Sequence, residues 1–388
     1  MCFHVSVQES KTDSGLPDKI LNKLCQQMGH VLGNSPVPAQ RPRRLQRRQL
    51  HHGDPDPEPH LVILFSSPLA HHHLIHPIHP TQIPKHYLTQ PLTIQPPNRA
   101  ITYGDRSSAV GKVYRDVVSL GSSPQAKISF PYQTVETATR ISPSFTSDPH
   151  CSGILGMGMS HGSAVRPHKA LTFFDNIRDR LARPVFTADL RRQAPGRYGF
   201  GFVDRGAYVG EMGFADVSPP DSVWWRFDAG GFQVGDGGNG NRTLGQEQPG
   251  LGQRREERWS AIADTGTSLL LAPLNVVGEY YRHVRGAAYD REWAGWLFPC
   301  DAAMPDWSFF LSGSGNGTAN GTAGGYKGTV PGRYMVYSRA NGTHCYGGMQ
   351  SSEGIGFGVF GDVVLKAQYV VFDLGAKRIG FANKVLTS

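Results

Sequence analysis

The stretch that most constrains this chain is residues 259–271, where an acidic residue stands between two apolar runs. The residues read Trp-Ser-Ala-Ile-Ala before Asp264 and Leu-Leu-Leu after Ser268. Apolar runs on both sides of a short polar segment predict a buried strand, a tight loop and a second buried segment. Aspartate is almost never buried unless its carboxylate has partners. The stretch therefore predicts a carboxylate held in a fixed position.

The residues that follow Asp264 have the properties that such a loop needs. Gly266 lets the backbone turn tightly and approach another segment closely. The hydroxyls of Thr265 and Thr267 can hydrogen-bond the carboxylate or the neighbouring backbone. For this segment alone, an ordinary strand–turn–strand with an Asx turn is the alternative interpretation.

Several segments in order carry a resemblance to a known family. Residues 263–268, Ala-Asp-Thr-Gly-Thr-Ser, closely resemble the second active-site motif of pepsin-like aspartic endopeptidases. Residues 360–382 resemble the C-terminal end of that family, and residues 101–108 resemble its flap hairpin. The likeness extends over residues 101–388 and is nearest to the fungal, penicillopepsin-like branch.

The resemblance implies an all-β, bilobal, pepsin-like acid protease fold with a truncated or irregular N-terminal lobe. We expect residues 100–195 to form the remainder of the N-terminal lobe with the flap. Residues 196–388 are expected to form the C-terminal lobe with the Asp-Thr-Gly motif. The 47 glycines suit a β-rich protein with many turns.

Local patterns predict individual elements within this frame. Residues 110–120 alternate loosely and predict the return strand of the flap hairpin, and residues 128–141 predict several further short strands. Residues 223–227 also resemble a strand. Apolar spacing favours a helix over residues 172–181. A helix is also expected over residues 276–281.

The resemblance assigns roles to the residues around Asp264. Asp264 corresponds to one of the two catalytic aspartates of the family. Thr265 matches the threonine that locks two loops together, and Thr267 matches the hydroxyl that orients the carboxylate. With Gly266 they would support the geometry of the catalytic pair.

The flap residues Tyr103, Gly104 and Asp105 are the expected substrate contacts. Tyr103 would close over a bound peptide and help to exclude water. Asp105 either helps to accept a basic substrate side chain, as in the fungal branch, or simply stabilises the turn. Arg106 departs from the pattern, because the fungal branch usually has glycine there.

Residues 1–99 differ from the rest of the chain. They hold only four of the 47 glycines but half of the 28 prolines and 11 of the 16 histidines. Proline at this density disfavours helices and central strands, so we expect irregular or disordered chain. The histidines of residues 71–79 are interpreted as a low-complexity tract, with weak metal binding as the alternative.

The first catalytic half-site has no candidate in this segment. The family places an Asp-Thr-Gly or Asp-Ser-Gly after an apolar strand, some tens of residues before Tyr103, and residues 55–70 contain none. The motif at residues 13–15, Asp-Ser-Gly, has the wrong spacing and polar flanks. A mis-spliced or frame-shifted gene would explain the abrupt change of composition.

Three functions compete on this basis. The first is an aspartic endopeptidase that hydrolyses peptide or protein substrates at acid pH without a cofactor or metal. The second is an inactive, peptide-binding relic, since one catalytic aspartate is missing. The third is a homodimer in which two Asp264 residues meet across a two-fold axis, although residues 101–195 would obstruct it. We expect a monomer.

Cysteines and glycosylation sequons bear on the cellular location of the protein. Cys300 and Cys345 match the C-terminal-lobe disulfide of the family. Four Asn-x-Thr sequons hint at a secretory route, at Asn241, Asn316, Asn320 and Asn341. The resemblance implies a secreted or vacuolar protein, although the first thirty residues contain no recognisable signal peptide.

The charge and hydropathy argue against two classes of partner. The formal net charge is +8, but its densest basic cluster lies in residues 41–48, outside the family-like region. We therefore expect no nucleic-acid partner. No run of eighteen apolar residues occurs, so we expect no membrane-spanning helix.

Overall fold

The structure is a computed structural model that describes residues 90–91, 99–102, 108–121, 127–142, 153–165, 168–235, 251–312 and 325–386. The described part is mostly strands. The three α-helices in these ranges are α1 (Phe173–Ile177), α2 (Leu274–Arg282) and α3 (Asp362–Leu365). The strands are β1 (Gln90–Pro91), β2 (Arg99–Thr102), β3 (Ser108–Leu120), β4 (Ile128–Ile141), β5 (Val185–Asp189), β6 (Arg197–Phe200), β7 (Gly213–Asp216), β8 (Arg226–Val234), β9 (Arg254–Arg255), β10 (Trp259–Ala263), β11 (Leu270–Ala272), β12 (Ala288–Asp290), β13 (Gly295–Pro299), β14 (Trp307–Leu311), β15 (Lys327–Val330), β16 (Val336–Arg339), β17 (His344–Gly347), β18 (Met349–Ser351), β19 (Gly358–Phe360), β20 (Gln368–Asp373) and β21 (Arg378–Asn383).

Within the described residues the strands form four sheets. The largest has the order β15-β14-β8-β10-β19-β11-β18, with β9 also paired to β8. A second sheet has the order β6-β5-β20-β21-β7, and a third has the order β12-β13-β17-β16. In the fourth, β1 and β2 pair with β3, which also pairs with β4. The predicted all-β class is confirmed.

The long hairpin of β3 and β4 confirms one strand prediction and corrects another. Residues 110–120 lie in β3 as expected. Residues 128–141 form one strand of 14 residues rather than several short ones. Two register shifts, at Val110/Gly111 and at Asp116/Val118, interrupt its alternation. Pro131 lies within the second shift. Proline has no backbone N–H, and at an irregular position of this kind no hydrogen bond between the strands is lost.

The sheet containing β5 and β20 joins the two halves of the family-like region. β5 belongs to the predicted N-terminal lobe and β20 to the predicted C-terminal lobe, and they pair along four residues, for example Phe186 with Phe372. The rings of Phe186 and Phe372 stack at 4.5 Å, and the Trp225 ring packs edge-on against both. The boundaries at residues 99/100 and 195/196 stay predictions.

The two predicted helices lie where they were expected. α1 continues into a 3-10 helix over Arg178–Arg180, and the Thr172 hydroxyl accepts the Asp175 N–H at 3.2 Å to cap its start. α2 buries Val276, Val277, Tyr280 and Tyr281. Across the described ranges, none of the helices combines the length and the apolar character that crossing a membrane would take.

Candidate active site

Asp264 begins a loop that connects two strands lying on either side of β19. β10 pairs with β19 in parallel and β11 pairs with it antiparallel, so residues 264–269 pass over the end of β19. Four backbone hydrogen bonds fix the loop there. The N–H of Asp264 donates to Phe360 O at 3.1 Å, that of Gly361 to Leu269 O at 3.2 Å, and that of Asp362 to Thr267 O at 2.8 Å. The fourth joins the N–H of Val363 to Ser268 O at 3.0 Å.

Both oxygens of the Asp264 carboxylate accept hydrogen bonds from the same loop. The N–H of Gly266 donates to Oδ1 at 2.9 Å, and the hydroxyl of Thr267 donates to Oδ2 at 2.8 Å. Asp264 is only 2% exposed. These two donors, both in the loop that begins at Asp264, fix the rotation of the carboxylate. They also offset part of the free-energy cost of burying its charge. The arrangement can accept or release a proton at a defined position.

The predicted supporting residues share this burial. Thr265 is 5% and Thr267 is 7% exposed. The structure thus brings Asp264, Thr265, Gly266 and Thr267 together in one buried loop. The Thr267–Asp264 contact has the geometry that an orienting hydroxyl needs. The role of Thr265 in locking two loops together stays a prediction.

Gly361 allows the loop to lie close against the end of β19. A Cβ placed there would come within 2.3 Å of the carbonyl oxygen of Thr267 and 2.4 Å of that of Leu269. Real Cβ atoms do not approach backbone so closely, so any larger residue would push the loop away. Glycine is therefore needed here for close approach rather than for an unusual backbone angle.

Asp362 is a second acidic residue beside the loop, and the sequence reasoning did not identify it. It begins α3 and is 8% exposed, and its carboxylate pairs with Lys366 at 2.7 Å. Burial raises the pKa of Asp362, the Lys366 ammonium opposes this, and the charge of Asp264 adds to the increase. The four-residue spacing of Asp362 and Lys366 was a visible signal of a pair on one helical face.

The expected flap residues Tyr103, Gly104 and Asp105 lie outside the described residues. Residues 1–89 also lie outside them, and they include the Asp-Ser-Gly at residues 13–15 and the histidines of residues 71–79. The strands on both sides of the flap are described. β2 and β3 are antiparallel, with Thr102 opposite Ser108.

The disulfide expected from the family is present. Cys300 and Cys345 are bonded, with their Cα atoms 5.0 Å apart. The bond ties the end of β13 to β17, whose residues also pair in the ladder. Cys2, Cys25 and Cys151 lie outside the described residues. In the described ranges, no three His, Cys, Asp or Glu residues are grouped so that they could hold a metal ion.

Comparison with known proteins supports the family that the motifs resemble. The family model for eukaryotic aspartyl protease matches residues 94–384. Aspergillopepsin-1 of Aspergillus pseudoglaucus is 39% identical over 283 residues, which is 73% of this chain and 64% of that protein. Penicillopepsin-1 of Talaromyces stipitatus is 39% identical over 282 residues, with the same two coverages. The match thus spans about 64% of the length of these relatives.

A solved structure supports the fold independently. The crystal structure of an aspartic proteinase from Irpex lacteus superposes with a TM-score of 0.56 at 20% sequence identity. The match covers 75% of this chain and 82% of that one. The expected pepsin-like bilobal fold is therefore confirmed. The relatives at 39% identity confirm the expected fungal branch. Because the family model matches most of the chain, this protein belongs to the eukaryotic aspartyl protease family.

Proposed function

We propose that this chain is an aspartic-type endopeptidase in which Asp264 supplies one of two catalytic carboxylates. The observation that carries the proposal is the buried Asp264 carboxylate, held through both oxygens by Gly266 and Thr267. A carboxylate fixed in this way can hold a water molecule in one orientation against a peptide carbonyl. Membership in the family supports the same assignment.

The chemistry requires a second carboxylate. One group takes a proton from water while the other gives a proton to the carbonyl oxygen of the peptide. Two carboxylates in contact cannot both ionise, so their pKa values separate and the pair titrates as a unit, as in aspartic proteases generally. We therefore expect activity at acid pH.

The substrates in this proposal are peptides or proteins. Tyr103, Gly104 and Asp105 would cover the bound peptide, and Thr265 would connect the Asp264 loop to the loop of the second aspartate. The family resemblance favours large apolar residues on both sides of the cleaved bond. A secreted or vacuolar location fits the Cys300–Cys345 disulfide, because such bonds persist in oxidising compartments. We expect the protein to act as a monomer.

The alternative function is peptide binding without cleavage. It is favoured by one observation, the lack of an apolar-flanked Asp-Thr-Gly or Asp-Ser-Gly some tens of residues before Tyr103. In that case Asp264 would retain its loop geometry without taking part in catalysis. A transition-state mimic such as pepstatin would then bind weakly or not at all.

The test compares the full chain with the variant Asp264→Asn at acid pH. The substrate is a fluorogenic peptide with large apolar residues on both sides of the scissile bond. We expect the unaltered chain to cleave it and Asp264→Asn to lose that activity. Asp13→Asn is the matched control and should cleave normally, because the flanks of Asp13 are polar. A folded chain that binds the peptide without cleaving it, and that does not bind pepstatin, would instead support the peptide-binding alternative.

A further inference from the structure

The turn between β16 and β17 presents an Asn-x-Thr sequon at the tip of a hairpin. Asn341, Gly342 and Thr343 are all exposed. The N–H groups of Ala340 and Asn341 both donate to the carbonyl oxygen of His344, at 2.8 and 3.1 Å, and close the turn. The disulfide from Cys345 holds the hairpin directly beside this turn, because Cys345 pairs with Arg339, the last residue of β16. The sequon therefore lies on a firmly anchored turn.

The side chain of Asn341 has a fixed orientation in this turn. Its Oδ1 accepts the N–H of Thr343 at 3.0 Å, the N–H of His344 at 2.8 Å and the hydroxyl of Thr343 at 3.3 Å. These contacts aim the carbonyl oxygen into the turn. Within the described residues the side-chain nitrogen of Asn341 has no hydrogen-bond partner, so a substituent on that nitrogen would displace none.

The surroundings leave room for a large substituent. A Cβ built on Gly342 would meet no heavy atom within 4 Å, so the tip of the turn faces open space. On its other side the turn is bonded to the neighbouring chain, because the N–H of Cys300 donates to Thr343 O at 3.0 Å. A bulky group on Asn341 can therefore extend away from the protein without opening the hairpin.

We propose that Asn341 is an N-glycosylation site. The donor is an oligosaccharide carried on a polyprenyl diphosphate. The bond from the sugar C1 to the diphosphate oxygen breaks, a bond from C1 to the Asn341 nitrogen forms, and that nitrogen gives up one proton as the diphosphate leaves. The modification requires entry into the secretory pathway, but it is independent of any catalysis by Asp264.

The other three sequons differ from Asn341 in their setting. Asn241, Asn316 and Asn320 occur in Gly- and Asn-rich stretches where a sequon can arise by chance, and all three lie outside the described residues. Asn341 lies in a defined hairpin between two paired strands. It is therefore the one sequon for which the structure supplies exposure, orientation and space.

The test isolates this sequon by removing the other three. The full chain is fused to a cleavable secretion leader, carries Asn241→Gln, Asn316→Gln and Asn320→Gln, and is translated with microsomes from the endoplasmic reticulum. We expect one upward shift on a denaturing gel, reversed by endoglycosidase H. Adding Thr343→Ala should abolish the shift, whereas adding Thr343→Ser should keep it, because only the hydroxyl completes the sequon.

Two results would overturn the proposal. One is a triple variant that is protected from added protease inside the vesicles and still migrates as unmodified protein. The other is a shift that persists with Thr343→Ala, since the glycan would then lie elsewhere. Because the readout does not depend on peptide cleavage, a failure of the proposed endopeptidase function leaves this test unaffected.

Discussion

Single residues decide how the Asp264 carboxylate is held. Local sequence was enough to identify Asp264, because an acid between two apolar runs must be buried and buried acids have partners. It also suggested the hydroxyls of Thr265 and Thr267 as possible partners, of which the structure shows Thr267. The second donor, the N–H of Gly266, was not predicted. Asp362 could not be found in this way. It approaches Asp264 only because β19 lies beside β10, a contact between segments almost 100 residues apart.

Removing the Thr267 hydroxyl should weaken the site measurably. Thr267→Ala leaves Oδ2 of a buried carboxylate without its donor at 2.8 Å. We expect the free energy of unfolding to fall by about 1.5–3 kcal/mol, the usual contribution of a hydrogen bond to a charged group. Peptide cleavage should fall through kcat more than through KM. Thr267→Ser keeps the hydroxyl and should retain most of both quantities. Equal urea midpoints for the two variants would contradict this reading.

Asp362 should make stability depend on pH in a defined direction. Burial raises its pKa above the usual 3.8, with Lys366 opposing and Asp264 reinforcing the change. As pH rises from 3.8, the unfolded chain releases this proton before the folded chain does, so the contribution of Asp362 to stability falls. Below 3.8 both states keep the proton and the contribution is constant.

The variant Asp362→Asn isolates that contribution. Its free energy of unfolding, relative to the unaltered protein, should increase as pH rises through the window just above 3.8. Loss of the ion pair with Lys366 changes the free energy of unfolding by an additional constant amount. The quantity to measure is therefore the slope of the free-energy difference against pH, obtained by urea unfolding at several pH values. Asp301→Asn removes an exposed carboxylate and controls for net charge. A flat difference for Asp362→Asn would refute the prediction.

At the level of elements, an uninterrupted pattern of apolar residues predicted a helix correctly, whereas an interrupted alternation did not predict the extent of a strand. α1 lies where the apolar spacing predicted a helix, and α2 lies where a helix was also expected. β4 is a single long strand because two register shifts break the alternation that sequence reading depends on. The strand expected at residues 223–227 begins only at Arg226. Before it, the Ser222 hydroxyl accepts the N–H of Trp224 at 3.2 Å, and this local turn replaces strand pairing.

The contact between the Asp264 loop and β19 can be tested at Gly361. The variant Gly361→Ala places a methyl group against two backbone carbonyls and should cost about 1–3 kcal/mol of stability, the usual effect of overpacking. Because the displaced atoms belong to Thr267 and Leu269, cleavage activity should fall as well. Thermal unfolding and the peptide assay measure the two effects.

Gly278 provides the matched control on α2. A Cβ there would meet nothing within 4 Å, so Gly278→Ala adds helix propensity without a clash. It should raise the free energy of unfolding by as much as about 1 kcal/mol. If both alanine variants changed stability by the same amount in the same direction, the steric argument for Gly361 would fail.

At the scale of the molecule, the arrangement of sheets follows from family resemblance rather than from any local pattern. β5 and β20 are separated by almost 180 residues and pair in one sheet, which joins the two predicted lobes. Composition indicated a β-rich chain, but it carried no information about which strands are neighbours. The same long-range packing buries tyrosines from distant parts of the chain, and this has a consequence in alkaline solution.

Five tyrosines with raised pKa values should make the folded protein lose stability steeply above pH 10. Burial raises the pKa values of Tyr280, Tyr281 and Tyr326 well above 10, raises the pKa of Tyr346 to about 12, and also raises the pKa of Tyr369. Above pH 10 the unfolded chain releases these protons while the folded chain keeps them, so each tyrosine lowers the free energy of unfolding by about 1.4 kcal/mol per pH unit. Lys384 has a lowered pKa and acts in the opposite direction, but it accounts for a single proton.

Alkaline titration followed by tyrosinate absorbance and by far-ultraviolet circular dichroism tests this. We expect these tyrosines to ionise together with the loss of secondary structure rather than before it. Tyr281→Phe removes one of the five and should reduce the slope of stability against pH by about one proton. Tyr132→Phe, at a side chain 70% exposed, should leave the slope unchanged. Ionisation of all tyrosines while the circular dichroism stays native would contradict the buried packing from which the prediction derives.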